Sequence, residues 1–317
     1  MGERLFSICI PTFNRAPLLA GALESALAQK DEGFEIVVVD NASADDTQEV
    51  LARYPDPRIQ VFRNAETVSM YANHNICVGR ARAPWVVFLH SDDRLDANAL
   101  GTLRQRIEGH QCDVVYPAKA LHRDYVVGGD LLLSGPQSLS SLLRWPAGTP
   151  SGAAYRRRFL GEIPFREDLV AADFILLAEV LRRGGRIVVS AVNTIAIGEG
   201  EFQYSAKWQR SGDFVRDVSK AFKEIINLPG VARDVESGIR QWSDSEIAFL
   251  LMMLSHADES RIISRLQYGL GDRVSFKRDP RYRHVVLYRV LGWRMLQVAF
   301  RAAKQARQML AHRAATK

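Results

Sequence analysis

Short continuous apolar runs alternate with segments of helical periodicity through the first half of the chain. The runs predict strands at Leu5–Ile10, Glu35–Asp40, Ile59–Phe62, Trp85–His90 and Asp113–Tyr116. The segments between them predict helices at Ala16–Lys30, Ala44–Tyr54, Tyr71–Arg82 and Ala97–Gly109. Continuous apolar runs such as Ile36–Val39 and Val86–Leu89 are typical of strands in sheets that helices cover on both faces. The pattern therefore predicts the α/β class, with a Rossmann-like, mostly parallel sheet flanked by helices.

The alternation stops at residues 118–152, where glycine and proline clusters are typical of turns. It returns with a predicted helix at Leu169–Arg183, which is followed by two short strands, and the pattern then becomes mostly helical. We therefore predict two parts. Residues 1–205 form the α/β domain that carries the chemistry, and residues 206–317 form a mostly helical C-terminal region.

The net charge of +6 is concentrated at the C-terminal end of the chain. Residues 281–317 contain nine Lys or Arg and no Asp or Glu, which leaves residues 1–280 with a net charge of −3. This tail is amphipathic, with apolar residues at helical spacing that include Val286, Val290, Trp293, Leu296 and Phe300. Such a helix either binds an anionic lipid surface or packs on the domain with a solvated basic face. Sedimentation with anionic vesicles separates these two alternatives.

Several classes of protein do not fit the sequence. The cysteines Cys9, Cys77 and Cys112 have neither paired nor metal-ligand spacing, and no apolar run approaches the roughly 20 residues that span a bilayer. We therefore predict a cytoplasmic location, with any membrane contact at the inner face. The first strand is followed by Pro-Thr-Phe-Asn rather than a glycine-rich turn, which argues against a dinucleotide oxidoreductase and a phosphate-loop hydrolase. No recognised nucleic-acid module accompanies the basic tail, so no nucleic-acid partner is predicted.

Polar residues follow three of the predicted strands at the point where each strand ends. Thr12 and Asn14 follow the first strand, Asp40 ends the second, and Asp92 and Asp93 follow the fourth. Ligands of open α/β sheets bind at the carboxyl ends of the strands. Two adjacent carboxylates repel each other, and a divalent metal that carries a diphosphate would neutralise both. Each segment taken alone also suits a turn or a helix cap, so the prediction depends on their combination.

Four ordered motifs, with a later block, resemble the family 2 inverting glycosyltransferases of GT-A fold. The resemblance spans roughly residues 5–200 and is carried by Ser7–Arg15 (SICIPTFNR), Ile36–Ser43 (IVVVDNAS), Tyr71–Cys77 (YANHNIC) and Phe88–Asp93 (FLHSDD), with Gly152–Arg157 and Pro164–Asp168 on the acceptor side. It implies a GT-A type sheet domain and a metal cofactor, Mn²⁺ or Mg²⁺, held by Asp93. It also implies a nucleotide-sugar site formed by Pro11, Thr12, Asn14, Asp40, Asn75 and Asp92.

The resemblance also implies a catalytic base, because an inverting transfer requires the acceptor hydroxyl to lose a proton as it attacks. The family usually has an acidic pair before an aromatic residue, whereas this chain has Ala172-Asp173-Phe174. Asp173 is therefore the predicted base, and Glu167 and Asp168 are competing candidates. A carboxylate in the first turn of a helix is also favoured by the helix dipole alone.

Two departures from the family pattern concern histidines. Many relatives carry Arg or Trp at the position of His74, which either packs in its helix or reaches the diphosphate. Many relatives also carry a metal-binding histidine in the stretch that corresponds to residues 198–205, where this chain has none. The resemblance leaves Glu199, Glu201 or water as the further metal ligand.

The sequence thus predicts an inverting, metal-dependent glycosyltransferase that uses a nucleotide-diphosphate sugar, with a UDP-sugar favoured. The expected acceptor is a glycan or a lipid-linked sugar in bacterial surface polysaccharide or glycolipid synthesis. Two alternatives stay open, because the second acid and the histidine are missing. One is a catalytically degenerate nucleotide-sugar-binding protein, and the other is a different nucleotide-dependent α/β enzyme.

Overall fold

The computed structural model describes residues 4–117, 129–142, 149–169 and 171–198, together with the single positions 220, 221 and 224. Glu199, Glu201 and the basic tail lie outside the described residues. The predicted division into residues 1–205 and 206–317 therefore stays a prediction. Within the described residues, no helix is long and apolar enough to cross a bilayer.

Strands and helices alternate through the first four strands of the described chain, as the hydrophobic pattern predicts. The strands are β1 (Phe6–Thr12), β2 (Phe34–Asp40), β3 (Ile59–Arg63), β4 (Trp85–Phe88), β5 (Arg94–Leu95), β6 (Val114–Pro117), β7 (Leu131–Ser134), β8 (Ala154–Arg156), β9 (Arg186–Ser190) and β10 (Ile195–Ala196). The helices are α1 (Ala16–Leu27), α2 (Thr47–Ala52), α3 (Met70–Arg80), α4 (Ala99–His110), α5 (Leu139–Leu142), α6 (Arg157–Glu162) and α7 (Ala172–Arg182).

Eight of the described strands form one sheet in the order β3-β2-β1-β4-β8-β6-β9-β7, and β5 pairs with β10 separately. The β1–β2, β1–β4, β2–β3 and β6–β9 pairs are parallel, which confirms the predicted mostly parallel sheet. Strands β7 and β8 are antiparallel to their neighbours. The chain runs outward from β1 to β3 and then returns to β4 on the other side of β1. The strand order therefore reverses between β1 and β4, where open α/β sheets bind ligands.

Helices cover both faces of the sheet because the central strands are apolar on both sides. On β1, Ile8 and Ile10 pack in a cluster with α1, α2 and α4, and Cys9 packs in a second cluster with α3, α6 and α7. On β2, Ile36 and Val38 lie in the first cluster, and Val37 and Val39 lie in the second. This two-sided burial explains the uninterrupted apolar runs of the sequence, and it holds the strand ends at a rigid edge.

Some element boundaries differ from those that the sequence predicts. Helix α2 begins at Thr47, three residues after the predicted start at Ala44. The helix begins later because the side chain of Asp45 accepts hydrogen bonds from backbone amides and thereby holds residues 44–46 in a loop. Asp45 accepts hydrogen bonds from the amides of Ala16, at 2.9 Å, and Thr47, at 3.2 Å. The loop after β2 is thereby held against the start of α1.

Candidate functional site

The predicted polar strand ends meet at one edge of the sheet. Thr12 ends β1 and lies opposite Asp40, which ends β2. On the other side of β1, the amide of Leu89 donates to the carbonyl of Cys9, and the chain then turns through the segment that ends at Asp93. The edge therefore brings together Thr12, Asp40 and the paired acids around the point where the strand order reverses.

The loops after β1 and β2 brace each other through Asn14. The amide of Asn14 donates to Ser43 Oγ at 2.9 Å, and Asn14 Oδ1 accepts from the amide of Ala44 at 2.8 Å. Asn14 has φ +50° and Ala42 has φ +57°, a left-handed backbone that asparagine tolerates better than most residues. Asn14 itself is exposed beside Pro11 and Thr12, so it lies at the surface of the edge.

Asp40 is completely buried, and both of its carboxylate oxygens have partners. Oδ1 accepts from the amide of Ser43 at 3.0 Å, and Oδ2 accepts from Gln48 Nε2 at 2.6 Å. Arg63 at the end of β3 pairs with Oδ2 at 3.2 Å, and it also donates to the carbonyl of Ser43. Arg63 was not among the predicted site residues. Its position at the end of the neighbouring strand is the signal that points to it.

Thr12 carries a polar atom that is buried without a partner. The residue is 2% exposed, and among the described residues its Oγ1 has no hydrogen-bond partner. An unsatisfied buried hydroxyl costs about 1–3 kcal/mol. Such a group at the edge where α/β sheets bind ligands is consistent with a ligand that supplies the missing partner.

The turn after β4 gathers three potential metal ligands. Single ligand atoms of His90, Asp92 and Asp93 all lie within 4.8 Å of one another. Asp93 is 4% exposed, its Oδ1 accepts from the amide of Gly198 at 2.9 Å, and burial raises the pKa of its carboxyl. In the part of the chain that the structure describes, no Lys or Arg pairs with either acid. Two carboxylates and an imidazole form a donor set that suits a divalent transition metal.

His90 was not predicted as a site residue, although it lies within the motif that ends in the paired acids. Its Nδ1 lies 3.3 Å from Thr149 Oγ1 and 3.9 Å from Asp93 Oδ2, and its amide donates to Ser151 Oγ at 3.0 Å. Its Nε2 lies 3.1 Å from Nε2 of His74. The imidazole that the sequence lacks at residues 198–205 is therefore available from the turn itself.

His74 lies in the protein core beside this cluster. Its ring packs against the rings of Tyr71, Phe88 and Phe165, and its Nδ1 lies 2.8 Å from the carbonyl oxygen of Met70. Burial and the neighbouring His90 lower the pKa of His74 to about 3. The ring is therefore neutral at physiological pH. His74 thus both packs in the core beside its helix and contacts His90 of the acid turn.

Gly198 closes the acid turn from the opposite side, and an alanine there is expected to disturb it. A Cβ on Gly198 would lie 2.0 Å from the carbonyl oxygen of Asp92, so the backbone would have to move. We expect Gly198→Ala to destabilise the protein by roughly 1–3 kcal/mol and to weaken metal binding, because the displaced backbone amide of residue 198 moves away from Asp93. Thermal unfolding and Mn²⁺ titration measure the two effects.

Gly109→Ala is the matched control for this substitution. Gly109 lies in α4, and a Cβ there would meet nothing within 4 Å. Alanine should stabilise the helix by up to about 1 kcal/mol relative to glycine and leave Mn²⁺ affinity unchanged. A Gly198→Ala protein with wild-type unfolding temperature and wild-type Mn²⁺ affinity would contradict the role of Gly198.

Asp173 lies in the first turn of α7 and is 4% exposed. The hydroxyl of Tyr71 lies 3.2 Å from its Oδ1, and that of Tyr116 lies 3.4 Å from its Oδ2. Burial raises the pKa of Asp173 to about 6, although the amide of Phe174 and the two phenols favour the ionised form. A carboxyl whose pKa lies near neutrality is suited to accept a proton at physiological pH.

The two competing candidates lie at the surface. Asp168 is exposed and is held by Arg166, at 2.7 Å, and by Lys220, at 2.7 Å. These two cations keep the pKa of Asp168 far below its usual value, so it is a weak base. Glu167 is also exposed. Asp173 is the buried member of the three.

Two bridges connect Asp173 with the cluster at the turn after β4. In the first, the hydroxyl of Tyr116 donates to the carbonyl of Thr149 at 2.5 Å, and the Thr149 side chain contacts His90. In the second, Tyr71 contacts both Asp173 and the ring of His74. The predicted base and the predicted metal ligand therefore belong to one connected group of side chains.

Asn75 is placed differently from the other predicted donor-site residues. Its Nδ2 donates to the carbonyl of Phe165 at 2.9 Å, and its Oδ1 accepts from the amide of Phe165 at 2.9 Å. Both polar atoms of the amide thus tie α3 to the segment before α7. Its contact with a donor stays a prediction.

A comparison with protein families agrees with this arrangement. Residues 7–162 match the model described as "Glycosyl transferase family 2", a segment that contains all three strand ends of the site. The chain belongs to glycosyl transferase family 2. The family suggested by the motifs is thereby confirmed.

Curated relatives of this family 2 chain come from several bacteria. The succinoglycan biosynthesis protein ExoO of Rhizobium meliloti is 28% identical over 283 residues, 83% of this chain and 80% of that protein. The uncharacterized protein MT1568 of Mycobacterium tuberculosis is 36% identical over 120 residues, 38% of each chain. A GalNAc(5)-diNAcBac-PP-undecaprenol beta-1,3-glucosyltransferase of Campylobacter jejuni is 38% identical over 103 residues, 32% of this chain and 33% of that enzyme. The chain thus matches about a third of the length of the last two.

Solved structures share the fold at low sequence identity. TarS of S. aureus, solved in complex with UDP-GlcNAc, has a TM-score of 0.63 at 19% identity and covers 94% of this chain and 92% of its own. The mannosyltransferase PcManGT of Pyrobaculum calidifontis, solved with GDP-Man and Mn²⁺, has a TM-score of 0.56 at 16% identity, with coverages of 92% and 88%. The expected GT-A type fold is confirmed for this family 2 member.

Proposed function

We propose that this protein is an inverting glycosyltransferase that moves a sugar from a nucleotide-diphosphate sugar to an acceptor hydroxyl. The observation that carries the proposal is the connected group of side chains at the reversal of strand order. It joins an acid–imidazole cluster that suits a metal to Asp173, a buried carboxyl whose pKa is raised to about 6. An in-line displacement requires these two functions, one for the leaving group and one for the nucleophile.

The residues at the turn after β4 fit a divalent metal, Mn²⁺ or Mg²⁺. Asp93 is a buried carboxylate whose protonated form is favoured by burial, and within the described residues no Lys or Arg compensates its charge. Asp93 would hold the ion, and Asp92 would support it or contact the ribose. When bound, the metal neutralises the charge that develops on the diphosphate leaving group.

The donor nucleotide is proposed to bind along the ends of β1 and β2. The unpartnered Thr12 hydroxyl and the exposed Asn14 lie at this edge, beside Pro11. Asp40 is held in place by Gln48 and Arg63, and a base or ribose would have to exchange with one of these contacts. A nucleotide bound along these strand ends would place its diphosphate near the acid turn after β4, which is connected with Asp173.

Asp173 is proposed to act as the base on the acceptor. As the acceptor oxygen forms its bond to the anomeric carbon, the bond from that carbon to the diphosphate oxygen breaks. The acceptor proton passes to the carboxylate of Asp173, and the nucleoside diphosphate departs with the electron pair of the broken bond. The hydroxyl of Tyr71 donates to Oδ1 of Asp173 and holds the carboxylate in place for this transfer, and Tyr116 lies beside Oδ2.

A thermal-shift panel tests the donor class. We expect a UDP-sugar with Mn²⁺ to raise the unfolding temperature more than GDP-, dTDP- or CDP-sugars, because ligand-linked stabilisation grows with the ratio of concentration to Kd. Each nucleotide is measured with Mn²⁺ and with EDTA. A larger shift for another base would replace the UDP assignment. No shift with any of the four would contradict the proposed function as a whole.

The acceptor is proposed to be a glycan or a lipid-linked sugar of bacterial surface polysaccharide or glycolipid synthesis. The support comes from two relatives, a succinoglycan biosynthesis protein and a GalNAc(5)-diNAcBac-PP-undecaprenol beta-1,3-glucosyltransferase. An acceptor of this kind would place the protein at the inner face of the cell membrane, with the basic tail as the contact. Nucleotide binding without sugar transfer to any such acceptor would instead favour the degenerate, non-catalytic alternative.

A further inference from the structure

Two imidazole rings face each other across the boundary between the core and the acid turn. The rings of His74 and His90 are nearly perpendicular, with centroids 5.2 Å apart and an interplanar angle of 85°. Their Nε2 atoms lie 3.1 Å apart, which is hydrogen-bond distance. Two nitrogen atoms at this distance require that one carries a proton and that the other presents a lone pair.

The surroundings of His74 decide which nitrogen donates. Its Nδ1 lies 2.8 Å from the carbonyl oxygen of Met70, and a carbonyl only accepts, so this Nδ1 carries the proton. The ring is 2% exposed and lies among aromatic rings. A second proton would create a buried cation, and no acidic side chain pairs with His74 among the described residues. His74 therefore presents a lone pair at Nε2.

The tautomer of His90 follows from this contact. Because Nε2 of His74 accepts, Nε2 of His90 must donate, and a neutral His90 then has no proton on Nδ1. This bare Nδ1 lies on the side of the acid turn, 3.9 Å from Asp93 Oδ2. The hydroxyl of Thr149, at 3.3 Å, can donate to it. The Nδ1 lone pair thus lies near Asp93, where a metal ion would replace the Thr149 hydroxyl as its partner.

We propose that His90 is a metal ligand through Nδ1, beside Asp92 and Asp93, and that His74 is the positioning residue that holds His90 in this tautomer. The inference rests on the metal of the proposed function and names a nitrogen ligand that the sequence motifs do not assign. Histidines that bind metals usually give their other ring nitrogen to a fixed partner, which sets the tautomer. Here that partner is another histidine, supported by the carbonyl of Met70.

An imidazole ligand has a consequence for the choice of metal. Mg²⁺ prefers oxygen ligands in octahedral geometry, whereas Mn²⁺ and Co²⁺ accept nitrogen more readily. We therefore expect the protein to bind Mn²⁺ and Co²⁺ in preference to Mg²⁺ when UDP is present. His90→Asp creates a set of oxygen ligands only. This variant should have a ratio of Mn²⁺ affinity to Mg²⁺ affinity that is lower than that of the wild type by about tenfold or more.

The tautomers can be measured in the metal-free protein without any activity assay. Long-range proton–nitrogen correlation spectra of the ¹⁵N-labelled protein are expected to show His74 protonated at Nδ1 alone and His90 protonated at Nε2 alone. Spectra of His74→Phe and His90→Ala proteins assign the signals. A His90 ring protonated at Nδ1 would overturn the proposal, whatever the variants do.

Metal titrations test the ligand role directly. In the presence of UDP, His90→Ala should lower Mn²⁺ affinity at least about tenfold, and His74→Phe should lower it about 10- to 100-fold, the usual cost of losing an orienting partner. His74→Gln should recover most of this loss, because its amide oxygen can accept from His90. His110→Ala is the control, because His110 lies at the end of α4 and pairs with Asp130. The Mn²⁺ affinity of this variant should equal that of the wild type.

The outcomes separate the inference from the proposed function. If wild type and His90→Ala bind Mn²⁺ with equal affinity, the role of His90 as a ligand is overturned, whereas the metal dependence of the protein is not. Equal affinities for His74→Phe, His74→Gln and wild type overturn the positioning role. A wild-type protein that binds UDP but no Mn²⁺ or Co²⁺ overturns the metal itself, and with it both this inference and the metal dependence of the proposed function.

Discussion

Asp93→Asn is expected to abolish Mn²⁺-dependent donor binding and to lower turnover by roughly 10³-fold. A catalytic metal stabilises the charge on a leaving group by several kcal/mol, and each 1.4 kcal/mol is a factor of ten in rate. Asparagine keeps the oxygen that accepts from the amide of Gly198, so the turn should stay in place while the charge is lost. Calorimetry with UDP and Mn²⁺ measures donor binding, and a radiolabelled sugar transfer assay measures turnover.

The folded metal-free protein should tolerate this substitution well. Burial raises the pKa of the Asp93 carboxyl, so its ionised form is disfavoured in the free protein and removing the charge should not lower the unfolding temperature. Asp96→Asn is the matched control, because Asp96 lies three residues later and outside the cluster of His90, Asp92 and Asp93. Unchanged UDP affinity with Mn²⁺ in Asp93→Asn would refute the assignment of Asp93 to the metal.

Asp173→Asn is expected to cut turnover by at least about 10²-fold and to leave donor affinity nearly intact. The carboxylate accepts the acceptor proton, whereas an amide cannot, and the two have almost the same shape. The hydroxyls of Tyr71 and Tyr116 can still contact the amide side chain that replaces the carboxylate, so the local packing should survive. Turnover and the Kd of UDP with Mn²⁺ are measured on the same preparation.

The pH dependence provides an independent test of this role. Since burial raises the pKa of Asp173 to about 6, turnover of the wild type should rise with pH through about 6 and then level off. The same shift in pKa affects stability. Between pH 3.8, the ordinary pKa of the carboxyl, and about pH 6, Asp173 is protonated in the folded protein but ionised in the unfolded chain. Because the folded state binds this extra proton, protonation of Asp173 stabilises the fold at low pH by an amount on the order of 3 kcal/mol. This stabilisation is lost as the pH rises through about 6. Asp173→Asn should remove this change.

Asp168→Asn separates the competing candidates for the base. Asp168 is an exposed carboxylate held by Arg166 and Lys220, so its loss should leave turnover close to wild type. If Asp173→Asn retains wild-type turnover and Asp168→Asn does not, the role of base moves to Asp168. If both retain it, the base lies on neither residue and the proposed transfer mechanism is wrong.

The parallel sheet and the location of its ligand edge could be predicted from the sequence alone. Both depend on local pattern, because uninterrupted apolar runs such as Val37–Val39 require burial on both faces, and polar residues mark where these strands end. Asp40 and Asp93 were found for this reason. The antiparallel strands β7 and β8 were not predicted, because they are short and lie in or near the turn-rich stretch at residues 118–152.

The sequence by itself determined the order of the parallel strands and of helices α1 to α4, the carboxyl edge of the sheet and the polar residues that reach it, because each of these follows from neighbours in the chain. Only the tertiary structure decided how those residues are paired and how strongly their pKa values shift. Arg63 reaches Asp40, the amide of Gly198 binds Asp93, and His74 meets His90. These contacts join segments that are 16 to 105 residues apart. Burial and hydrogen-bond direction exist only after packing, so the donor set that suits a metal emerged with the fold.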